Sequence, residues 1–250
     1  MIRHGRWFVF CLLCHVSITG AAEPDPLNSP QWETMHTRFL KGEPYVFDSK
    51  VQVEAPPDAE DSLNVPIAFQ ITDLKDVQEI QVLADLNPIP HVLTFRPKTI
   101  APNLAFRMKL QQGSPIHVAA KTADGVWHVG GVFVNAAGGG CTLPSVGTSS
   151  GDWTKTLGKV AANVWQRDGN NRLRIRVMHP MDTGLANGIP TFHIETLKVL
   201  DDKGELLAEI DTFEPISENP MLSLDVGKHT TFKLQGRDNN GNKIAAEVTP

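Results

Sequence analysis

Cys141 is the residue of this sequence best suited to chemistry of its own. Gly138, Gly139 and Gly140 precede it, and Thr142-Leu143-Pro144 follow. Glycine has no Cβ and visits most of backbone space, so the triplet is expected to act as a swivel, a flexible arm for the thiol. The six steps from Asn135 to Cys141 reach roughly 20 Å when extended. The stretch from Asn135 to Asp152 holds five glycines and little apolar mass, which predicts a mobile linker and an exposed thiol. Such a thiol is a free nucleophile, an intermolecular disulfide partner or a covalent attachment point. No Lys, Arg or His is adjacent in sequence, so its pKa is expected near the reference value of about 8.5. Only a few per cent is then thiolate at neutral pH. That suits a passenger activated in other enzymes' sites better than a catalyst acting alone.

Other chemistry is thinly represented. His179 ends one strand-like run and His193 begins another, and two such His could ligate a metal. No third ligand stands at metal spacing, so hydrogen bonding at the strand ends is the better reading, and no metal or cofactor is expected. Arg172, Arg174 and Arg176 alternate along one strand; they read as a solvated face, with an anion-attracting surface as the alternative. There is no G-x-S-x-G elbow, Walker loop, dinucleotide fingerprint or H-E-x-x-H. The chain does not read as an enzyme.

Composition narrows the class of protein. The chain has 250 residues, 41% hydrophobic and 20% charged, with 20 Gly, 18 Pro and a formal charge of −5. That balance excludes a general nucleic-acid binder, which needs a basic footprint. The many breakers favour short strands over a helical bundle. Residues 1–22 read as an export signal peptide: Arg3 and Arg6, an apolar run from Trp7 to Ile18 too short to span a bilayer, then Gly20-Ala21-Ala22 before Glu23. The C-x-x-C of Cys11 and Cys14 falls within it. Removing two Arg takes the charge from −5 to −7 and leaves Cys141 as the one cysteine of an exported, periplasmic protein.

The elements that must position Cys141 follow from periodicity. Ser29-Pro30 before Gln31 to Lys41 and Gly42 predicts one short helix. Beyond it the period is two: Ile67, Phe69 and Ile71; Ile80 and Val82; Leu104, Phe106, Met108 and Leu110; Ile116 and Val118; then Val126 to Val134. In the second half Leu173, Ile175 and Val177 alternate with the three arginines. Hairpins follow around Asp201 to Gly204 and Asp238 to Gly241. The division is 23–137, a Gly-rich linker at 138–158, and 159–250. Two small β domains are expected to pack on each other, because each alone buries limited core. Trp153 and Trp165 are the candidates for that contact.

The second half resembles SoxZ. The residues that carry this are Arg174-Ile175-Arg176-Val177-Met178-His179-Pro180-Met181-Asp182-Thr183-Gly184, then Ile189 to Ile194, and Glu214-Pro215-Ile216-Ser217-Glu218-Asn219-Pro220. The first half is similar to SoxY in its helix, Asn87-Pro88, the strand Phe106-Arg107-Met108-Lys109 and the closing Gly139-Gly140-Cys141. The order resembles the fused SoxYZ-like carriers associated with quinoprotein dehydrogenases. The resemblance implies an all-β fold of two immunoglobulin-like sandwiches. It implies a periplasmic, non-catalytic carrier that holds a sulfur intermediate covalently on Cys141 and presents it to sulfur-oxidation or quinoprotein dehydrogenase-related enzymes. The other reading is a non-catalytic binding or scaffolding module assisting such an enzyme, with Cys141 incidental or metal-related. In SoxY the cysteine is followed by Gly-Gly at the chain's end; here the chain continues, so the arm is tethered at both ends.

Overall fold

The computed structural model describes residues 24–145, 152–167 and 169–249. The expected signal peptide, with Cys11 and Cys14, and residues 146–151 of the expected linker lie outside the described residues.

One helix, α1 (Trp32–Phe39), precedes eight strands in the first half: β1 (Tyr45–Phe47), β2 (Val51–Glu54), β3 (Val65–Ile71), β4 (Val77–Ala84), β5 (His91–Pro97), β6 (Asn103–Met108), β7 (Ser114–Thr122) and β8 (Trp127–Val134). The second half supplies β9 (Val160–Arg167), β10 (Asn170–Val177), β11 (Ile194–Leu200), β12 (Leu206–Thr212), β13 (Met221–Asp225), β14 (Phe232–Asp238) and β15 (Lys243–Val248). The all-β expectation holds, and period two explains most strands. In β3 the side chains of Val65, Ile67, Phe69 and Ile71 are buried while Pro66 and Gln70 are exposed. In β10 Leu173, Ile175 and Val177 are buried while Arg174 and Arg176 are exposed.

The strands form two sheets, ordered β1-β8-β7-β4-β5-β12-β11-β14-β15 and β2-β3-β6-β13-β10-β9. Both sheets cross from one half to the other. In the larger, β5 pairs antiparallel with β12, from Pro97 opposite Ala208 to Leu93 opposite Thr212. In the smaller, β6 pairs with β13 at Ala105–Ser223 and Leu104–Leu224. The two sandwiches are therefore joined edge to edge through backbone hydrogen bonds, with one apolar cluster running from Val51 to Val248 between the sheets. Such joining removes the free edges that each half would otherwise expose.

Trp153 and Trp165 do not make this contact. Trp153 packs on Phe192 of its own half, with ring centroids 5.7 Å apart. Trp165 lies on β9, the far edge of the smaller sheet, under the Arg174 guanidinium at 4.9 Å. The seam is made by strands instead, which need no large side chain to bridge them.

Helix α1 closes over the larger sheet through Trp32, Met35 and Leu40, which pack on Leu83, Ala119, Trp127 and Val129. Ser29 does not cap it in the usual way: its hydroxyl donates to Asp85 Oδ2 at 2.5 Å. Asp85 and Asp25 flank His117, at 3.0 and 3.1 Å from its two ring nitrogens. Burial opposes a charge on this imidazole, but the two carboxylates prevail and raise its pKa to about 9.

The candidate site: a cysteine held at the seam

Cys141 is fully buried, at 0% exposure. The reason lies in the strand end beside it. Beyond β6 the chain continues as Lys109-Leu110-Gln111, and the glycine segment lies back along it. Gly140 N–H donates to Leu110 O at 3.1 Å and Gly139 N–H to Gln111 O at 3.3 Å. Cys141 N–H donates to Gln111 Oε1 at 3.2 Å, and Sγ rests 3.9 Å from Lys109 O. The Lys109 carbonyl also accepts from Asn87 Nδ2, at 2.9 Å.

The glycines here serve close approach. A Cβ on Gly140 would stand 2.2 Å from Ser62 O and 2.6 Å from Leu110 O. Gly138 and Gly139 have φ of +108° and +85°, conformations that side chains disfavour. The stretch that composition alone marks as mobile is thus hydrogen-bonded and packed as far as Ser145. Little apolar mass is needed to dock it, because backbone groups do the docking.

The second half completes the enclosure with the loop after β10. Thr183 Oγ1 donates to Cys141 O at 2.5 Å. Asp182 Oδ1 accepts from Ser145 N–H at 2.9 Å. Met181 O accepts from the Lys109 ammonium, which also reaches Glu214 O at 3.4 Å. The three consecutive residues Met181, Asp182 and Thr183 therefore grip three points of the other half's cysteine region.

This environment sets the thiol's chemistry. Burial pushes the Cys141 pKa up to about 11, and the positive charge of Lys109 opposes this only in part. Lys109, 3% exposed, is in turn pushed down to about 8 by burial, against the pull of Asp182 and Cys141. The residues beside Cys141 in sequence gave no cation; the fold brings Lys109 from 32 positions away. In this closed arrangement the thiol is protonated, covered and unreactive.

The ring of His179 makes a structural hydrogen bond, whereas Nδ1 of His193 makes none. His179 Nδ1 accepts from Met181 N–H at 3.1 Å, which shapes the gripping loop and puts the ring proton on Nε2. Nε2 of the neutral ring faces Asp238 Oδ2 at 3.4 Å without good hydrogen-bond geometry. Burial holds the His179 pKa down near 4. His193 stands 3.9 Å from Glu214. Among the described residues no three His, Cys, Asp or Glu side chains converge as a metal site. Lys109, Gln111 and Thr183 escape notice as site residues in the sequence, because only tertiary contact links them to Cys141.

Two family models match the chain in tandem. Sulfur oxidation protein SoxY matches residues 36–141, and sulphur oxidation protein SoxZ matches residues 161–249. The chain is a fused SoxYZ-like protein. Its SoxY half comes first, and the SoxY match ends at Cys141 itself. No curated protein matches the chain. A solved structure, that of the sulfur carrier protein SoxY from Chlorobium limicola f thiosulfatophilum, is similar at 18% identity with a TM-score of 0.38, covering 43% of this chain and 96% of that one. Membership of the two families supports a carrier role in sulfur oxidation. In these terms the thiol and Lys109 belong to the SoxY half, and Met181, Asp182 and Thr183 to the SoxZ half. Among the described residues no helix is long and apolar enough to cross a membrane.

Proposed function

We propose that this protein is a periplasmic carrier that holds a sulfur-containing intermediate covalently on Cys141 and presents it to partner enzymes of sulfur oxidation. The observation that carries this reading is the placing of Cys141 at the seam, where hydrogen bonds from its segment's backbone and from the Thr183 hydroxyl hold it under the SoxZ half's loop. A segment docked by polar contacts and almost no apolar area is one that can undock at modest cost. Closed, the thiol is shielded from adventitious oxidation. Released, it regains an ordinary pKa near 8.5. The carrier does no catalysis itself; the partner supplies activation. The association with quinoprotein dehydrogenases rests on no residue of this site, and sulfur-oxidation enzymes are the proposed partners.

The complete burial of Cys141 favours a second reading, a scaffolding module in which the cysteine merely fills its place. One experiment separates the two. Protein purified from the host's periplasm is analysed by intact-mass and peptide mass spectrometry. A sulfur adduct on Cys141, absent after treatment with a reductant, is the expected result. An unmodified thiol under sulfur-oxidising growth, with full function in a Cys141→Ser strain, overturns the carrier reading. Recovery of the protein in the cytoplasm with Met1 retained overturns the location.

A further inference from the structure

The outer face of the smaller sheet carries a cluster of arginines that the carrier chemistry leaves without a role. Strand register places them. Arg174 of β10 lies opposite Ser223 of β13, Ser223 opposite Ala105 of β6, and Ala105 opposite Ala68 of β3. In the adjoining row Arg176 lies opposite Met221, and Arg107 opposite Pro66. The small side chains of the first row floor a hollow of about 540 Å³, walled by Arg107, Arg174 and Met221.

Arg107, Arg174 and Arg176 are exposed, and among the described residues none of them forms an ion pair. Arg172, one row away, is paired with Asp225 at 3.6 Å. Arg174 is steadied from below by the Trp165 ring. Glu54 stands on the far rim, and Glu60 and Asp61 share an adjoining hollow with Arg107 without reaching ion-pair distance of it. Three unpaired guanidinium groups gathered on a chain of net charge −5 form a local field opposite in sign to the whole molecule.

The cluster is also built across the seam. Arg107 comes from the SoxY half, Arg174 and Arg176 from the SoxZ half. From Arg107 the chain runs two residues to Lys109, and from Arg176 it runs through His179 to Met181, Asp182 and Thr183. The arginine face therefore leads onto both strands of residues that hold Cys141.

We propose that this face docks an acidic surface patch of the enzyme that loads Cys141; the proposal rests on the carrier reading. Its three charges steer encounter and orient the partner toward the thiol end. Guanidinium groups suit this, because they are weakly hydrated and pair carboxylates in a bidentate fork.

The test uses the full-length protein and the host's loading enzyme, purified by its ability to place an adduct on Cys141. Loading is followed by mass spectrometry from 20 to 300 mM NaCl. The triple variant R107E/R174E/R176E, and R107Q/R174Q/R176Q as its milder form, should lower kcat/KM roughly 10- to 100-fold at low salt, with kcat little changed and a flatter salt dependence. Both should keep wild-type far-UV circular dichroism and wild-type reaction with a small thiol reagent, since the three side chains are exposed. Loading that is insensitive to salt in the wild type, or undiminished in the glutamate variant, overturns the proposal. So does inhibition by sulfate beyond that of chloride at equal ionic strength, which would mark a small-anion site instead. Failure of the wild type to load at all overturns the carrier reading itself and is distinguishable from these.

Discussion

Replacing Thr183 by Val tests whether the SoxZ half keeps the thiol closed. The two side chains are nearly the same size, so the change removes one hydroxyl and little volume. That hydroxyl donates to Cys141 O at 2.5 Å and crosses the seam. A net hydrogen bond contributes about 0.5–1.5 kcal/mol, and leaving a buried acceptor unmade costs about 1–3 kcal/mol. The closed state should therefore lose about 1–2 kcal/mol relative to the open one, a factor of roughly 5–30 in the open population. The assay is the pseudo-first-order rate of reaction with a small aromatic disulfide at pH 7.5. The closed thiol, with a pKa of about 11, is less than about 0.1% thiolate at that pH, whereas a thiol of ordinary pKa near 8.5 is about 10% thiolate. Labelling thus reports opening. Wild type should react far more slowly than free cysteine, and Thr183→Val should react 5–30 times faster than wild type. Urea midpoints measured alongside separate local opening from global unfolding. A wild type that labels as fast as free cysteine refutes the closed state, and an unchanged rate in Thr183→Val refutes the role of the loop.

Gly140→Ala should act more strongly: a Cβ 2.2 Å from Ser62 O cannot be accommodated without moving the segment, so labelling should approach that of an exposed thiol while circular dichroism is retained. Lys109→Met removes a buried cation that donates to Met181 O and Glu214 O. It should destabilise the protein by about 1–3 kcal/mol in urea, because the carbonyls of Met181 and Glu214 lose their donor. Cys141→Ser should abolish adducts on this residue and leave the fold intact, with a loss of about 1–3 kcal/mol in stability, because the shorter Cβ–Oγ bond leaves a buried hydroxyl beyond hydrogen-bond reach of the Lys109 carbonyl. His117 titrates near 9 when folded and near 6.5 when unfolded, so its contribution is fully present below pH 6.5 and is lost as pH rises through about 9. Thermal unfolding midpoints of wild type should fall over that range, and those of His117→Gln should lack this fall.

Most of the fold was legible because most strands bury one face. β3 and β10 alternate cleanly, and their boundaries follow from the pattern. β5 was invisible for the opposite reason: Val92 to Phe95 are buried on both faces, so no alternation marks them. That strand makes one of the two crossings between the halves, which is why the sequence suggests separate sandwiches packed together rather than continuous sheets. The site was half legible. Cys141 stands out by its residue type and its glycines, but burial does not. Glycine composition looks the same whether a segment swings or is pressed against carbonyl oxygens, and only the position of Ser62 O and Leu110 O decides between them. Thr183 lies within the run that carries the resemblance to SoxZ, yet nothing local says that it bonds to a residue 42 positions earlier.

The continuity of both sheets across the seam has a consequence for how the protein behaves on dilution. Two separate chains joined through β5–β12 and β6–β13 would assemble in a bimolecular step and come apart as their concentration fell. Here the residues between Cys141 and β9 tether the partners, so association is intramolecular, at an effective concentration in the millimolar range for a short connection. Closing over the thiol is then a first-order event whose equilibrium is independent of how much protein is present. Both halves are made in equal number by a single act of translation, and a thiol left uncovered for want of a partner chain does not arise.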